Sequence, residues 1–286
     1  MARKKGTAHK IGKAVIFSSK VVMFFLKGAY QVLSGIGSVI LFTTKKVQER
    51  RSSNEEAKEE KKSAKITSQR PRTKAKYSGI KEIKSIKGSP RTFENFLHSS
   101  ESTIGIILGA RGTGKSAIGL KLLENLHAKT GKAVHALGFK AKDMPSWINV
   151  VETPEEVEND SVVLIDESGI SFSSRKSMSN ANQLLSSLLM IARHKNISVM
   201  FITQNSSNLE VNVLRQADYL VLKPSSLMQK DFERKKIKEV YEALEAEFDQ
   251  LKGTKGLTYI HSDKYQGFIT NELPSFWSTK VSKAFR

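Results

Sequence analysis

From position 91 onward the apolar residues fall into short solid blocks separated by stretches of helical spacing. Residues 102–108, 132–139, 147–151, 162–165, 197–202 and 217–222 are such blocks, rich in Val, Ile, Leu and Phe. Runs of this kind suit strands covered on both faces, as in a parallel sheet. Between the first two blocks, Ala117, Leu120, Leu123, Leu126 and His127 recur at helical spacing until Thr130-Gly131, where the glycine stops the helix. Phe93, Phe96 and Leu97 predict a short helix ahead of the first strand. Thr153-Pro154-Glu155-Glu156-Val157 reads as a helix start, with threonine as cap and proline in the first turn. Residues 184–193 and 208–216 read as further helices, and 227–251 as one long, densely charged helix. Its apolar stripe is narrow: Phe232, Val240, Tyr241, Leu244 and Phe248. Residues 256–260 and 266–270 predict a β-hairpin turning at Ser262-Asp263-Lys264, and 273–277 a docking segment. Strands alternating with helices predict an α/β fold, a parallel sheet with helices on both faces.

The first 90 residues follow a different pattern. Residues 11–44 are apolar with few breaks, and 21–44 hold one charge, Lys27, in 24 residues, long enough to span a bilayer as a helix. Gly28, Gly35 and Gly37 are small residues of the kind membrane helices use for close packing. Lys13, Lys20 and Lys27 recur every seven residues, which instead suits a helix lying in the membrane interface. Both readings make residues 1–46 a basic, membrane-associating segment. A cleaved signal peptide fits less well, because the apolar run is too long. Residues 47–90 are Lys/Glu/Ser-rich and read as a flexible linker; within them Ile80, Ile83 and Ile86, every third residue, suggest a short docking helix. The folded domain is expected over 91–286.

Charge sharpens this division. The net charge of +19 is concentrated in residues 1–90, where 22 Lys/Arg face 6 Asp/Glu, or +16; the remainder carries +3. Such asymmetry points to a tail that meets nucleic-acid phosphates or anionic lipid. There is no cysteine, which excludes disulfides, a catalytic thiol and Cys-based metal sites.

The first strand block runs into Gly109-Ala110-Arg111-Gly112-Thr113-Gly114-Lys115-Ser116, the G-x-x-x-x-G-K-S spacing of a P-loop, with Ala117 next. Unpaired N–H groups at a helix start make an anion site, and Gly109, Gly112 and Gly114 let the backbone curl around oxygens. Lys115 reaches the β- and γ-phosphates of ATP, and the Ser116 hydroxyl suits Mg²⁺. A later block, 162–165, ends in Asp166-Glu167: a carboxylate for the metal, then one placed to polarise water against the γ-phosphate. That second acid argues for hydrolysis; the plainer reading is a pair of helix-capping acids. The block 197–202 runs into Thr203-Gln204-Asn205, placing Gln204 at a strand tip where ligands bind.

This ordered set, with Arg193-His194 ahead of the last strand, resembles the FtsK/HerA superfamily of P-loop ATPases. Within it, the set looks most similar to the small Zot-like and viral or plasmid DNA-translocating ATPases. The resemblance covers roughly residues 103–222 and is strongest over 192–222. It implies a RecA-like (ASCE P-loop) parallel sheet, behind the membrane-associating helix and basic linker. It also implies a ring, often a hexamer, that moves double-stranded DNA or drives virion or secretion-complex assembly at the cytoplasmic face of a membrane. On this resemblance Lys115 and Ser116 hold phosphate and Mg²⁺, Asp166 the metal, Glu167 the water and Gln204 the γ-phosphate. Arg193, Arg215 and Arg175 are candidates for an arginine supplied to a neighbouring subunit; each also reads as a solvated surface residue. Nothing in the chain selects a DNA sequence, so DNA contact is expected through phosphates and to weaken with salt.

Overall fold

A computed structural model describes residues 70–167 and 186–282, together with Lys27. The membrane segment 11–44, linker residues 47–69, the Ser-rich stretch after Glu167 and Arg175 lie outside them. Among the described residues no helix is long and apolar enough to cross a membrane.

Nine strands form one sheet in the order β1-β9-β8-β7-β2-β6-β5-β3-β4. Its centre is parallel: β2 (Ile104–Leu108), β3 (Val134–Leu137), β4 (Ile148–Val151), β5 (Val162–Asp166), β6 (Ser198–Ile202) and β7 (Tyr219–Leu222). Every residue of β2, β5 and β6 is buried, which is why their sequences carry no polar face. Successive residues feed opposite cores. Ile106, Val163, Val199 and Phe201 join one cluster, while Ile107, Leu164, Met200 and Ile202 join the other. The second core is roofed by α1 (Pro90–Ser99) and α2 (Lys115–Thr130), and the first takes Val213 of α3 (Val211–Gln216). Helices on both faces are therefore as expected, and β6 lies between β2 and β5.

The sheet is mixed rather than purely parallel. The expected hairpin forms as β8 (Thr258–Ser262) and β9 (Tyr265–Thr270), and β8 pairs antiparallel with β7, extending the central sheet. β1 (Lys81–Gly88) then pairs antiparallel with β9. This corrects the docking helix expected around Ile83 and the linker expected up to residue 90. As an edge strand almost wholly exposed, β1 tolerates Lys, Glu and Ser, so its sequence reads as linker. Upstream of it, Arg70 donates to the carbonyls of Met144 (3.2 Å) and Pro145 (2.6 Å), and Trp147 Nε1 donates to Thr73 O (2.9 Å).

The single helix expected over 227–251 is three: α4 (Leu227–Phe232), α5 (Lys235–Ala243) and α6 (Glu245–Gln250). The first break has a tertiary cause. Glu233 is buried and accepts from Ser206 N (2.7 Å) and Ser206 Oγ, while Arg234 N donates to Ser206 Oγ (2.9 Å). The second break is Leu244, whose backbone leaves the helical region at φ −111°, ψ 7°. A short α7 (Thr279–Ser282) ends the described chain.

Candidate nucleotide-binding site

The loop between β2 and α2 is a left-handed backbone path. Gly109, Gly112 and Gly114 have φ of 144°, 82° and 91°. At Gly109 a side chain is excluded on two counts, since an added Cβ would sit 2.4 Å from the Cβ of Lys223. Thr113 Oγ1 donates to Ala110 O (2.7 Å) and closes the turn. Ala117 is buried beneath it.

Lys115 opens α2 and is largely buried. Its ammonium donates to Gly109 O (2.7 Å) and Ala110 O (3.0 Å), folded over the loop it serves. Burial lowers its pKa, and the carboxylates of Asp166 and Glu167 act in the opposite direction. Ser116 Oγ donates to Asp166 Oδ2 (3.0 Å), so the hydroxyl and carboxylate expected to share a metal are already neighbours. Among the described residues no group of three metal-ligating side chains forms. A hard divalent cation held by this oxygen pair would therefore complete its shell with phosphate and water.

Glu167 follows β5 and meets the tip of β6. Thr203 donates its hydroxyl to Glu167 Oε2. Burial raises the Glu167 pKa, opposed by hydrogen bonds from Thr203, the Asn208 side chain and the Gln204 backbone; repulsion from Asp166 adds to the rise. A carboxylate raised by burial yet held by three donors is oriented and more basic than one in water.

Lys115, Ser116, Asp166 and Glu167 thus come together at the carboxyl ends of β2 and β5. Gln204 lies at the tip of β6, but its side chain is exposed, and its carbonyl accepts from Gln229 Nε2 of α4. The side chains that meet Glu167 are Thr203 and Asn208, and Gln204 reaches it through its backbone. The candidate arginines lie elsewhere. Arg193 is exposed in the turn before β6, and Arg215 is exposed in α3, which leads into β7. Both sit at the amino ends of strands whose carboxyl ends face the loop, roughly 15 Å away along four or five residues. They are outside the site of their own chain.

Sequence reading passed over two residues, Asn208 and Lys223. Asn208 carries no local signal, because it reaches Glu167 only through the 3₁₀ turn Ser206–Asn208. Lys223 had one: a lone charge closing an apolar strand, followed by Pro224. Its backbone N donates to Leu108 O (2.8 Å), and Ala110 N donates to Pro224 O (3.0 Å), binding the strand end to the loop.

The zonular occludens toxin (Zot) family model matches residues 116–255, from the P-loop serine through the helices after β7. The resemblance drawn from the motifs is thereby borne out over the region that carries most of them. No curated protein matches the chain. Among solved structures the chain is similar to the DNA-packaging ATPase B204 from Sulfolobus Turreted Icosahedral Virus, at 17% identity over 60% of this chain and 98% of that one, TM-score 0.41. The genome packaging NTPase B204 from Sulfolobus turreted icosahedral virus 2, in complex with ATP-gammaS, is similar at 16% identity over 61% and 99%, TM-score 0.41. EssC (ATPases 2 and 3) from Geobacillus thermodenitrificans is similar at 12% identity over 75% and 48%, TM-score 0.38. At such identities these three likenesses assign no role to any residue of the chain.

Proposed function

We propose that this P-loop ATPase, with its Zot-family domain, forms a ring that couples ATP hydrolysis to moving duplex DNA at a membrane, as in genome packaging, conjugation or extrusion. The observation that carries the hydrolytic half is the pairing of Thr203 with Glu167, directly after Asp166. A transferase gains nothing from a base aimed at water. Here that base is half-buried, basic and fixed in direction.

In the reaction, the triphosphate enters the loop and Lys115 exchanges the Gly109 and Ala110 carbonyls for phosphate oxygens. Bound Mg²⁺, held through Ser116 and Asp166, would neutralise charge on the β- and γ-oxygens. Glu167 takes a proton from water as the water oxygen bonds to the γ-phosphorus. The bond from that phosphorus to the β–γ bridging oxygen breaks, leaving ADP and phosphate. An arginine from the next subunit, Arg193 or Arg215, completes the charge balance; their position at the far end of the sheet suits a role only in trans.

Support for DNA comes from the chain ahead of Arg70, where 15 Lys/Arg face 5 Asp/Glu, or +10 in 69 residues. A second reading, a membrane-bound ATPase that assembles virions or secretion complexes without pumping DNA, is favoured by the apolar run 11–44 and the Zot match. ATP turnover of the full chain, with and without duplex DNA at low and moderate salt, separates them. Stimulation that fades with salt and is absent in Glu167→Gln supports translocation. Turnover indifferent to DNA but raised by lipid vesicles moves the reading to assembly.

A further inference from the structure

Lys223 is a buried cation with no carboxylate beside it. Its side chain is 1% exposed at the end of β7, and its ammonium donates to Gly256 O (3.0 Å) and Leu257 O (3.2 Å). Among the described residues it forms no ion pair, and burial alone pulls its pKa down to about 8. Burying an ammonium is costly, and two neutral carbonyls offset only part of that cost. Another buried lysine of the domain is treated differently. Lys121, equally buried, has Glu124 Oε2 at 2.9 Å.

The placement of Lys223 explains the omission. The same stem that excludes a side chain at Gly109 brings its Nζ within 3.9 Å of where a Cβ on Gly114 would stand. Gly109 and Gly114 are the two ends of the P-loop, so the ammonium lies directly behind the loop that receives phosphate. Its backbone is pinned on both sides, by Leu108 O at its N–H and by the Tyr241 hydroxyl at its carbonyl (3.0 Å). The charge cannot swing away to solvent.

We propose that Lys223 is a positioning residue for the nucleotide, a second fixed positive charge whose missing counter-ion is the β-phosphate of the bound nucleotide. It acts through the loop, from behind, while Lys115 acts from in front. The cation is stored unpaired in the empty protein and compensated only on binding, so part of the binding energy is the relief of that burial. This inference rests on the P-loop reading above.

Opposite signs for stability and affinity test it. In the full-length protein, Lys223→Met keeps the length of the stem and removes the charge. The melting temperature of the nucleotide-free protein is expected to hold or rise, although Leu257 O loses a donor. Affinity for ADP and ATP, by calorimetry, is expected to fall about tenfold or more, with affinity for AMP, which has no β-phosphate, within about twofold. Lys223→Arg, which restores the charge, should recover most of the ADP affinity. A Lys223→Met protein that melts lower and loses ADP and AMP affinity alike, or that binds ADP as the parent does, overturns the proposal. Should Lys223→Met not fold, Lys223→Arg decides alone: the proposal fails if the ratio of ADP to AMP affinity drops as far as a charge loss would take it. Lys115→Ala is the control for the underlying reading. If neither the parent nor Lys115→Ala binds ADP, the P-loop reading fails; if only the parent binds, the result for Lys223 stands by itself.

Discussion

The two halves of the sheet obey different rules. The parallel half, β7 through β4, is buried on both faces at β2, β3, β5 and β6 and delivers every phosphate- and water-handling side chain at one end. The antiparallel half, β8, β9 and β1, carries none of these groups and thins outward to a strand that is nearly all solvent-facing. The contrast teaches where chemistry can be held. A carboxylate such as Glu167 is kept basic and oriented where the strand ends half-bury it and supply Thr203 as a donor. The margin does a different task, buttressing the P-loop strand through β7.

The largest expected effect is on the chemistry held by the parallel half. Glu167→Gln keeps the shape of the side chain but removes its basicity, and turnover should fall by about 10² to 10⁴ with ATP binding retained. Single-turnover hydrolysis and equilibrium binding read the two separately; a mild loss would mean that another group activates water. Next is the core of the same half. Leu164, fully buried in the Asp166 strand, should cost about 2–5 kcal/mol on change to alanine, measured by urea unfolding.

Ser206→Ala probes the tie between the loop after β6 and the α4–α5 junction. It withdraws a hydroxyl from the buried Glu233 carboxylate, and about 1.5–3 kcal/mol should be lost. If the stability is unchanged, the break between α4 and α5 is held by something other than this contact. The smallest effect belongs to the outer edge. Lys81 and Glu272 pair at 2.9 Å but are more than half exposed, so Lys81→Ala should leave the urea-unfolding midpoint unchanged. A loss there would erase the distinction between centre and margin.

The same contrast governed what could be read from the chain. Strands buried on both faces must be continuously apolar, so β2, β5 and β6 announced themselves; Asp166 and Glu167 were visible as charges at the end of an apolar run, and Lys115 through the glycine spacing of the loop that follows β2. β1 could not be seen because exposure on both faces removes the constraint that writes a pattern. The helix over 227–251 was overextended for another reason: Glu233 and Arg234 are good helix formers locally, and only Ser206, far along the chain, pulls them out of the helix. Lys223 was visible as a residue but not as a partner of Gly109, since that proximity depends on β7 lying beside β2. Gln204 shows the limit at the resolution of one residue. The tip was legible, yet strand alternation and the turn after it gave the contact with Glu167 to Thr203.

The segment from Arg70 to Ile80 has a mechanical consequence. It is pinned along its length: Arg70 and Thr73 to the loop around Trp147, then Lys76 N to Glu124 Oε1 (3.0 Å) and Ser78 N to Asn125 Oδ1 (3.1 Å) on α2. Glu124 is fully buried. Burial pushes its carboxyl up, but donors from Ser275, Lys76 and Lys121 outweigh this and hold it below the usual range. α2 is the helix whose first residues face the nucleotide. A pull on the chain ahead of Arg70 therefore meets first the loop before β4 and the Ile148 carbonyl that opens that edge strand, and only then α2, through Glu124 and Asn125.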